Sequence, residues 1–469
     1  MVFASLEFLT LFLPAFLAIY TLSPARWRNA VLLFCSWFFY GWWSPVFLLL
    51  FIGLTLWGWL GGLVIEAAPG PRSRGWRLAF FIAVNVLILC WYKYANIVVE
   101  SLDAALAMAH AGPIAWQRVL LPIGLSFIVL QSISYLIDVY RTTVPADRSF
   151  IRYGAYQAMF VHLIAGPIIR YAWVKRELAS RTVGWDGFAA GARRLMIGMS
   201  MKVLVADTLS PMVDAIFSLP SPSMADAWLG CGFYTLQLFF DFAGYSAMAI
   251  GLGQILGFRF PENFNHPYLA SSIQDFWRRW HLSLSSWIRD YLYIPLGGSR
   301  LGEWKTYRNL ILTMAIAGLW HGGDSWNFLL WGIAHGLALA LARLWRQMGM
   351  PSLPLWLSHL MTLLFVMLAW TLFRSVGFEA ALTMYRGQFG LNGIGLSDAM
   401  AVQLRPVHGL ATALGIVCVL LPIWQQRWDS LPDTALRRFW QAAWPLAGFL
   451  LSFALIAARG AVPFLYFQF

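Results

Sequence analysis

The sequence predicts an all-α polytopic membrane protein, and three observations predict it. First, 60% of the 469 residues are hydrophobic and 12% are charged, against roughly 45–50% and about 25% in a soluble domain. Second, apolar stretches of spanning length recur along the whole chain with no strand-like alternation that would suggest a barrel. Third, the chain carries 26 Trp, 17 Tyr and 35 Phe, and amphipathic rings collect at headgroup depth. Lipid is therefore expected to be the solvent for much of the surface. The spans should be helices, because a helix pairs its own backbone groups inside hydrocarbon.

Taken in order, the apolar stretches run over about 1–22, 29–43, 46–65, 77–98, 117–140, 151–169, 187–217, 226–258, 307–321, 325–343, 355–374, 408–424 and 441–458. Some fall short of a full crossing and others are long enough to bend, so about ten to thirteen membrane elements are expected, in a single transmembrane domain over 1–469. The first stretch holds Glu7, has no basic leader region and shows no small-residue cleavage site, and reads as a retained span. Basic loops (Arg26 and Arg28; Arg72 to Arg77; Arg141 to Arg152) alternate with loops that lack Lys and Arg, which places the N-terminus outside the cytoplasm. Arg427, Arg437 and Arg438 before the last span place the C-terminus outside too. Three segments break the pattern: the cationic stretch 170–202 and the glycine-rich stretch 375–407 read as surface helices or loops, and 261–308 reads as interfacial or re-entrant.

The formal net charge of +12 is distributed between apolar stretches, as positive cytoplasmic loops require, and gives no support to nucleic-acid binding. Cys35, Cys90, Cys231 and Cys418 stand singly in apolar spans with neither metal-ligand nor disulfide spacing, so no metal is expected. HExxH, CxxC, Walker and GxSxG patterns are lacking, which leaves metalloprotease, redox, nucleotidase and hydrolase readings without support.

Chemistry-bearing residues concentrate in the second half. In QDFWRRWHLSLSSWIRDYLYIPLGG, residues 274–298, helical spacing puts Trp277, His281, Leu284 and Ile288 near one face, with Arg278, Ser285 and Arg289 to one side. Such a charged, aromatic helix lies at the interface or re-enters the protein; as an anchor alone it would carry no chemistry. His321 follows at the end of an apolar span, in Gly318-Leu319-Trp320-His321-Gly322-Gly323. An intramembrane imidazole can take a hydroxyl proton as the oxygen attacks a thioester and then return it to the leaving group, and flanking glycines would let substrate approach the backbone. The competing reading is a hydrogen-bonded structural histidine. His335, in WGIAHG, divides evenly between packing and function, while His162 reads as a helix break. Asp241 lies within an apolar stretch and needs a partner, expected to be Arg, Tyr or His. The final residues, VPFLYFQF over 462–469, form an aromatic tail that should seek a buried groove, where Tyr466 is either a candidate acyl carrier or an anchor.

The segments FWRRWHLSLSSWIRDYLYIPLGG and AGLWHGGDSWNFLLWGIAHG, with IAGPIIR and FFDFAGYSAMAIGLG before them, resemble the membrane-bound O-acyltransferases over nearly the whole chain. Within that family the likeness is to the membrane subunits of bacterial alginate and cellulose acetylation, with teichoic-acid D-alanylation proteins more distant. The resemblance implies a ring of tilted helices around a thin centre with a through-tunnel. It carries the family's near-invariant histidine onto His321 and its second histidine onto His281. It further implies acetyl-CoA as the cytoplasmic donor, a periplasmic SGNH-like acetyltransferase partner and an exopolysaccharide synthesis and secretion complex, with the chain in the bacterial inner membrane. Tyr466 corresponds to a tyrosine supplied by a separate peptide in D-alanylation systems. The run Gly-Gly-Asp-Ser-Trp-Asn after His321 departs from the alginate pattern and tilts the expectation towards cellulose, hence biofilm polymer.

The expected reaction is O-acetylation of a secreted exopolysaccharide, with Arg278, Arg279 and Arg289 meeting the donor phosphates, His321 as base and His281 orienting a reacting group. The alternative is a transporter or flippase for the polymer or a lipid-linked sugar, which inverted repeats with matched broken helices would favour. No internal duplication is visible.

Overall fold

A computed structural model describes residues 2–163, 166–424, 430 and 434–465. Among these, all regular structure is helical. Seven helices are long and apolar enough to cross a membrane: Pro45–Glu66, Pro71–Met108, Trp185–Phe217, Met224–Ile255, Asn327–Gln347, Leu355–Arg374 and Ala435–Arg459. With the shorter apolar helices Phe8–Leu22, Leu125–Tyr140 and Pro406–Leu420, the membrane elements reach the lower end of the expected range. Glu303–His321 is long enough but carries Glu303, Lys305 and Arg308 in its first turns, and is not among the seven. The stretch 151–169 is not one span either: Phe150–Ala158 ends where Met159 leaves helical geometry, and Phe160–Leu163 follows as a single short turn.

The chain divides into two compact units. The first comprises residues up to Leu195, Ser246–Pro261 and the described residues from Ile456 onward. Its core is aromatic: Phe12 meets Phe160 edge-on at 5.2 Å and stacks with Phe16 at 6.0 Å. Ser44 accepts from the Phe47 amide at 3.4 Å and, with Pro45 beginning the helix, caps Pro45–Glu66. That helix packs through Gly58 and Gly62, where an added Cβ would stand 2.2 and 2.6 Å from the hydroxyls of Tyr153 and Tyr135. Of the aromatic tail, Phe464 and Leu465 are buried. Tyr466 lies outside the described residues.

The second unit comprises Met196–Tyr245 and the described part of Glu262–Leu455. Its centre is an antiparallel hairpin of Glu303–His321 and Asn327–Gln347, and small residues let the two backbones touch. A Cβ on Gly318 would meet the Phe328 carbonyl oxygen at 2.2 Å, and one on Gly332 the Met314 carbonyl oxygen at 2.3 Å. Gly318 and Gly322, on either side of His321, therefore serve close packing. Gly318→Ala should cost about 1–3 kcal/mol, because backbone cannot swing aside as a side chain can. Gly53→Ala, which meets nothing within 4 Å, should be neutral or stabilising by up to about 1 kcal/mol. Thermal unfolding of both variants in detergent compares them directly, and equal melting would refute the packing role of Gly318.

Candidate active site

All the candidate side chains described here belong to the second unit. His321 is the last residue of Glu303–His321, 5% exposed, because Gly322 leaves the helix in an extended conformation. A Cβ on Gly322 would stand 1.8 Å from the Phe328 ring, so only glycine allows that ring to close against the helix end. The His321 imidazole is held edge-on by Trp320, Trp331 and Phe373, with centroids at 4.9, 5.3 and 5.4 Å.

His281 is placed by a different device. The segment expected to be one helix is broken into Ile273–Trp277, Leu282–Ile288 and a π turn at Arg289–Tyr293. Ser272 caps the first piece by accepting from the Asp275 amide at 3.1 Å. The break leaves His281 in the left-handed region, at φ 45° and ψ 57°, a conformation that costs a non-glycine residue about 1–2 kcal/mol. Backbone pairing with 263–265 holds it there: the Leu282 amide donates to the Asn263 carbonyl and the Asn265 amide to the Arg279 carbonyl, both at 2.9 Å. The shared helical face of Trp277, His281, Leu284 and Ile288 therefore does not exist, and the turn instead aims His281 into the interior, where it is fully buried.

The hydrogen bonds around His281 decide its tautomer. The Ser283 amide and hydroxyl donate to Asn263 Oδ1 at 3.2 and 2.9 Å, which identifies that atom as the amide oxygen. His281 Nδ1 lies 3.1 Å from the same oxygen and must carry the proton it shares. Nε2 is left with its lone pair, buried and without a hydrogen-bond partner among the described residues. Burial pushes the His281 pKa down to about 3, so the ring is neutral.

His335 has the opposite tautomer. The Trp277 indole, which can only donate, gives its Nε1–H to His335 Nδ1 at 3.3 Å, so a neutral His335 keeps its proton on Nε2. Trp331 touches both histidines on this side, at 5.3 Å from His321 and 4.8 Å from His335. Ring contacts continue from Trp331 through Trp370, Trp280 and Phe264 to His281. The fold thus brings His321 and His335 around one indole and joins His281 to them through a packed aromatic chain.

Asp241 is buried and pairs with a lysine, a residue type that the expectation of Arg, Tyr or His did not include. Lys202 Nζ donates to Asp241 Oδ1 at 2.9 Å and to Asp207 Oδ1 at 2.7 Å. Lys202 falls at the end of the stretch read as surface helix or loop, yet it is 1% exposed, because the π turn Met201–Ala206 widens the helix and turns the ammonium inward. Of the three arginines assigned to the donor, Arg279 is paired with Asp275 at 2.9 Å and Arg289 with Asp290 at 2.7 Å, and only Arg278 is exposed without an ion pair among the described residues. Residue-by-residue reading missed Asn263, Lys202 and Asp207. A lysine in an apolar run was a visible signal for Lys202, but the separation of Asn263 from His281 follows no local motif.

Comparison with known proteins bears on these residues directly. Residues 139–378, which include His281, His321 and His335, match the MBOAT, membrane-bound O-acyltransferase family. A "Probable alginate O-acetylase AlgI" of Pseudomonas putida is 42% identical over 100% of both chains. Another of the same description, from Azotobacter vinelandii, is 47% identical over 88% of this chain and 83% of its own. A "Peptidoglycan O-acetyltransferase" of Helicobacter pylori is 34% identical over 80% of this chain and 75% of its own. Full-length similarity at this level, centred on the segment that builds the buried histidine site, makes the protein an acyltransferase and a member of the membrane-bound O-acyltransferase family.

Proposed function

We propose that the protein O-acetylates a secreted polysaccharide, taking the acetyl group from cytoplasmic acetyl-CoA and delivering it through a periplasmic partner of the SGNH type. The observation that carries this reading is the buried pair of imidazoles, His321 at a helix end and His281 with its Nε2 lone pair directed into the interior. In the proposed step the acceptor hydroxyl oxygen attacks the thioester carbonyl and its proton passes to His321. As the carbon–sulfur bond breaks, that proton goes to the departing thiolate. His281 Nε2 accepts a hydrogen bond from the acceptor or leaving group, and His335 holds the Trp277 and Trp331 walls in place. Among the donor-binding candidates, Arg278 is best suited to meet a phosphate, since Arg279 and Arg289 already face carboxylates. The names of the relatives favour alginate as the polymer over the cellulose expectation, and the charge of the loops supports an inner-membrane chain with both termini in the periplasm.

Membranes supplied with acetyl-CoA labelled in the acetyl group test the reaction. Alkali-labile label on the polymer is expected. Polymer exported without label, with the label still on coenzyme A, would favour the flippase. Tyr466→Phe tests the tail: it keeps the ring and removes the hydroxyl, so transfer through an acyl-tyrosine should fall at least about 100-fold, on the scale of losing a reacting group. Unchanged polymer acetylation by mass spectrometry would leave Tyr466 an anchor.

A further inference from the structure

We propose that the first unit contains a binding site for a phosphate ester, in a cavity of about 350 Å³ where Arg26, Arg28, Arg152 and Arg181 converge. Three separate segments build it, 25–29, 149–152 and 178–181, and no Asp or Glu lines it among the described residues. Arg181 is held rigidly: Nε donates to the Tyr20 hydroxyl and Nη1 to Asn29 Oδ1, each at 2.7 Å, and Nη1 also to the Glu177 carbonyl at 3.1 Å. Its Nη2 is then the one terminal nitrogen left over, buried and without a hydrogen-bond partner among the described residues. Arg28 Nε is in the same state. Arg152 is the exception, since Asp147 takes two of its donors at 2.6 Å each. Four guanidinium side chains line one cavity and, among the described residues, only Arg152 is ion-paired, so an anion with several oxygens is the ligand that this wall suits.

The volume exceeds that of a small inorganic ion and suits a headgroup-sized ester. Two of the three segments, 25–29 and 149–152, belong to the basic loops that the charge pattern assigns to the cytoplasmic side, where anionic lipids and phosphate-bearing acyl donors both occur. This reading accounts for Arg181, a cation of the stretch 170–202 that the histidine site leaves unused. A lipid headgroup in this site would be independent of the acyl-transfer reading, whereas coenzyme A in it rests on that reading and adds a contact beyond Arg278.

The test uses the full chain in neutral detergent and four probes: phosphatidylglycerol, phosphatidylcholine, coenzyme A and 3′-dephospho-coenzyme A. Either phosphatidylglycerol binds in preference to phosphatidylcholine, identifying a lipid headgroup, or coenzyme A binds in preference to its dephospho form, identifying the donor. In either case Arg28→Gln should weaken the preferred probe by about tenfold or more, the size of one charge-assisted hydrogen bond. Ala25→Glu, at an exposed rim position, adds a carboxylate without removing a structural bond and should weaken it similarly. Should Arg28→Gln fail to fold, Ala25→Glu and the wild-type preference decide the matter. No preference in the wild type, or equal binding by the wild type and the folded variants, overturns the site.

Discussion

His321→Ala is expected to lower acyl transfer by roughly 10²–10⁴-fold, the usual loss when a positioned acid–base group is removed. The side chain stands at the helix end, where Gly322 already leaves the helix, so alanine there does not interrupt the helix itself. Some stability will be lost as well, since the space between Trp320, Trp331 and Phe373 is left unfilled. His321→Gln separates the two effects, because it restores volume without a titrating nitrogen. Transfer should stay low in both variants while the melting temperature recovers in the second. Acetyl ester on the polymer, measured per folded protein in the membrane, provides the readout. Normal ester content with alanine at this position would end the catalytic assignment.

Lys202→Met should be the most destabilising single change outside the histidines. Lys202 is 1% exposed and bonds to two carboxylates that are themselves 6% and 4% exposed. Removing one partner of a buried ion cluster costs about 3–5 kcal/mol, because the carboxylates lose their cation in a low dielectric. Methionine keeps the length of the side chain, so the loss reports charge and not volume. Adding Asp207→Asn and Asp241→Asn to Lys202→Met should recover much of the loss, since a neutral cluster of similar shape no longer isolates a charge. Size-exclusion profiles and unfolding temperatures in detergent give the comparison. A Lys202→Met protein as stable as wild type would show that the cluster contributes nothing to the fold.

The membrane class, the helical spans and the neighbourhood of the chemistry could all be read along the chain, because each depends on local runs of residues. Pro45–Glu66 and Leu355–Arg374 follow from uninterrupted apolar stretches close to their observed length. His321 stood out because an ionisable side chain at the end of an apolar span is costly without a purpose. The segment around His281 shows where periodicity fails: four residues at helical spacing predict a face, but pairing with 263–265 breaks the helix and puts His281 into a left-handed turn.

By itself, then, the sequence determined that the chain is an all-helical membrane protein of the acyltransferase family and that its histidines matter. Hydropathy and motif identity are properties of short stretches, so no packing is needed to see them. Only the tertiary structure decided which nitrogen of His281 keeps its lone pair, that Asp241 answers to Lys202, and that the glycines beside His321 serve helix contact. Each of these depends on an atom brought close by folding from a part of the chain that local spacing does not identify, and hydrogen-bond direction and steric contact act over a few ångströms of space, not along the sequence.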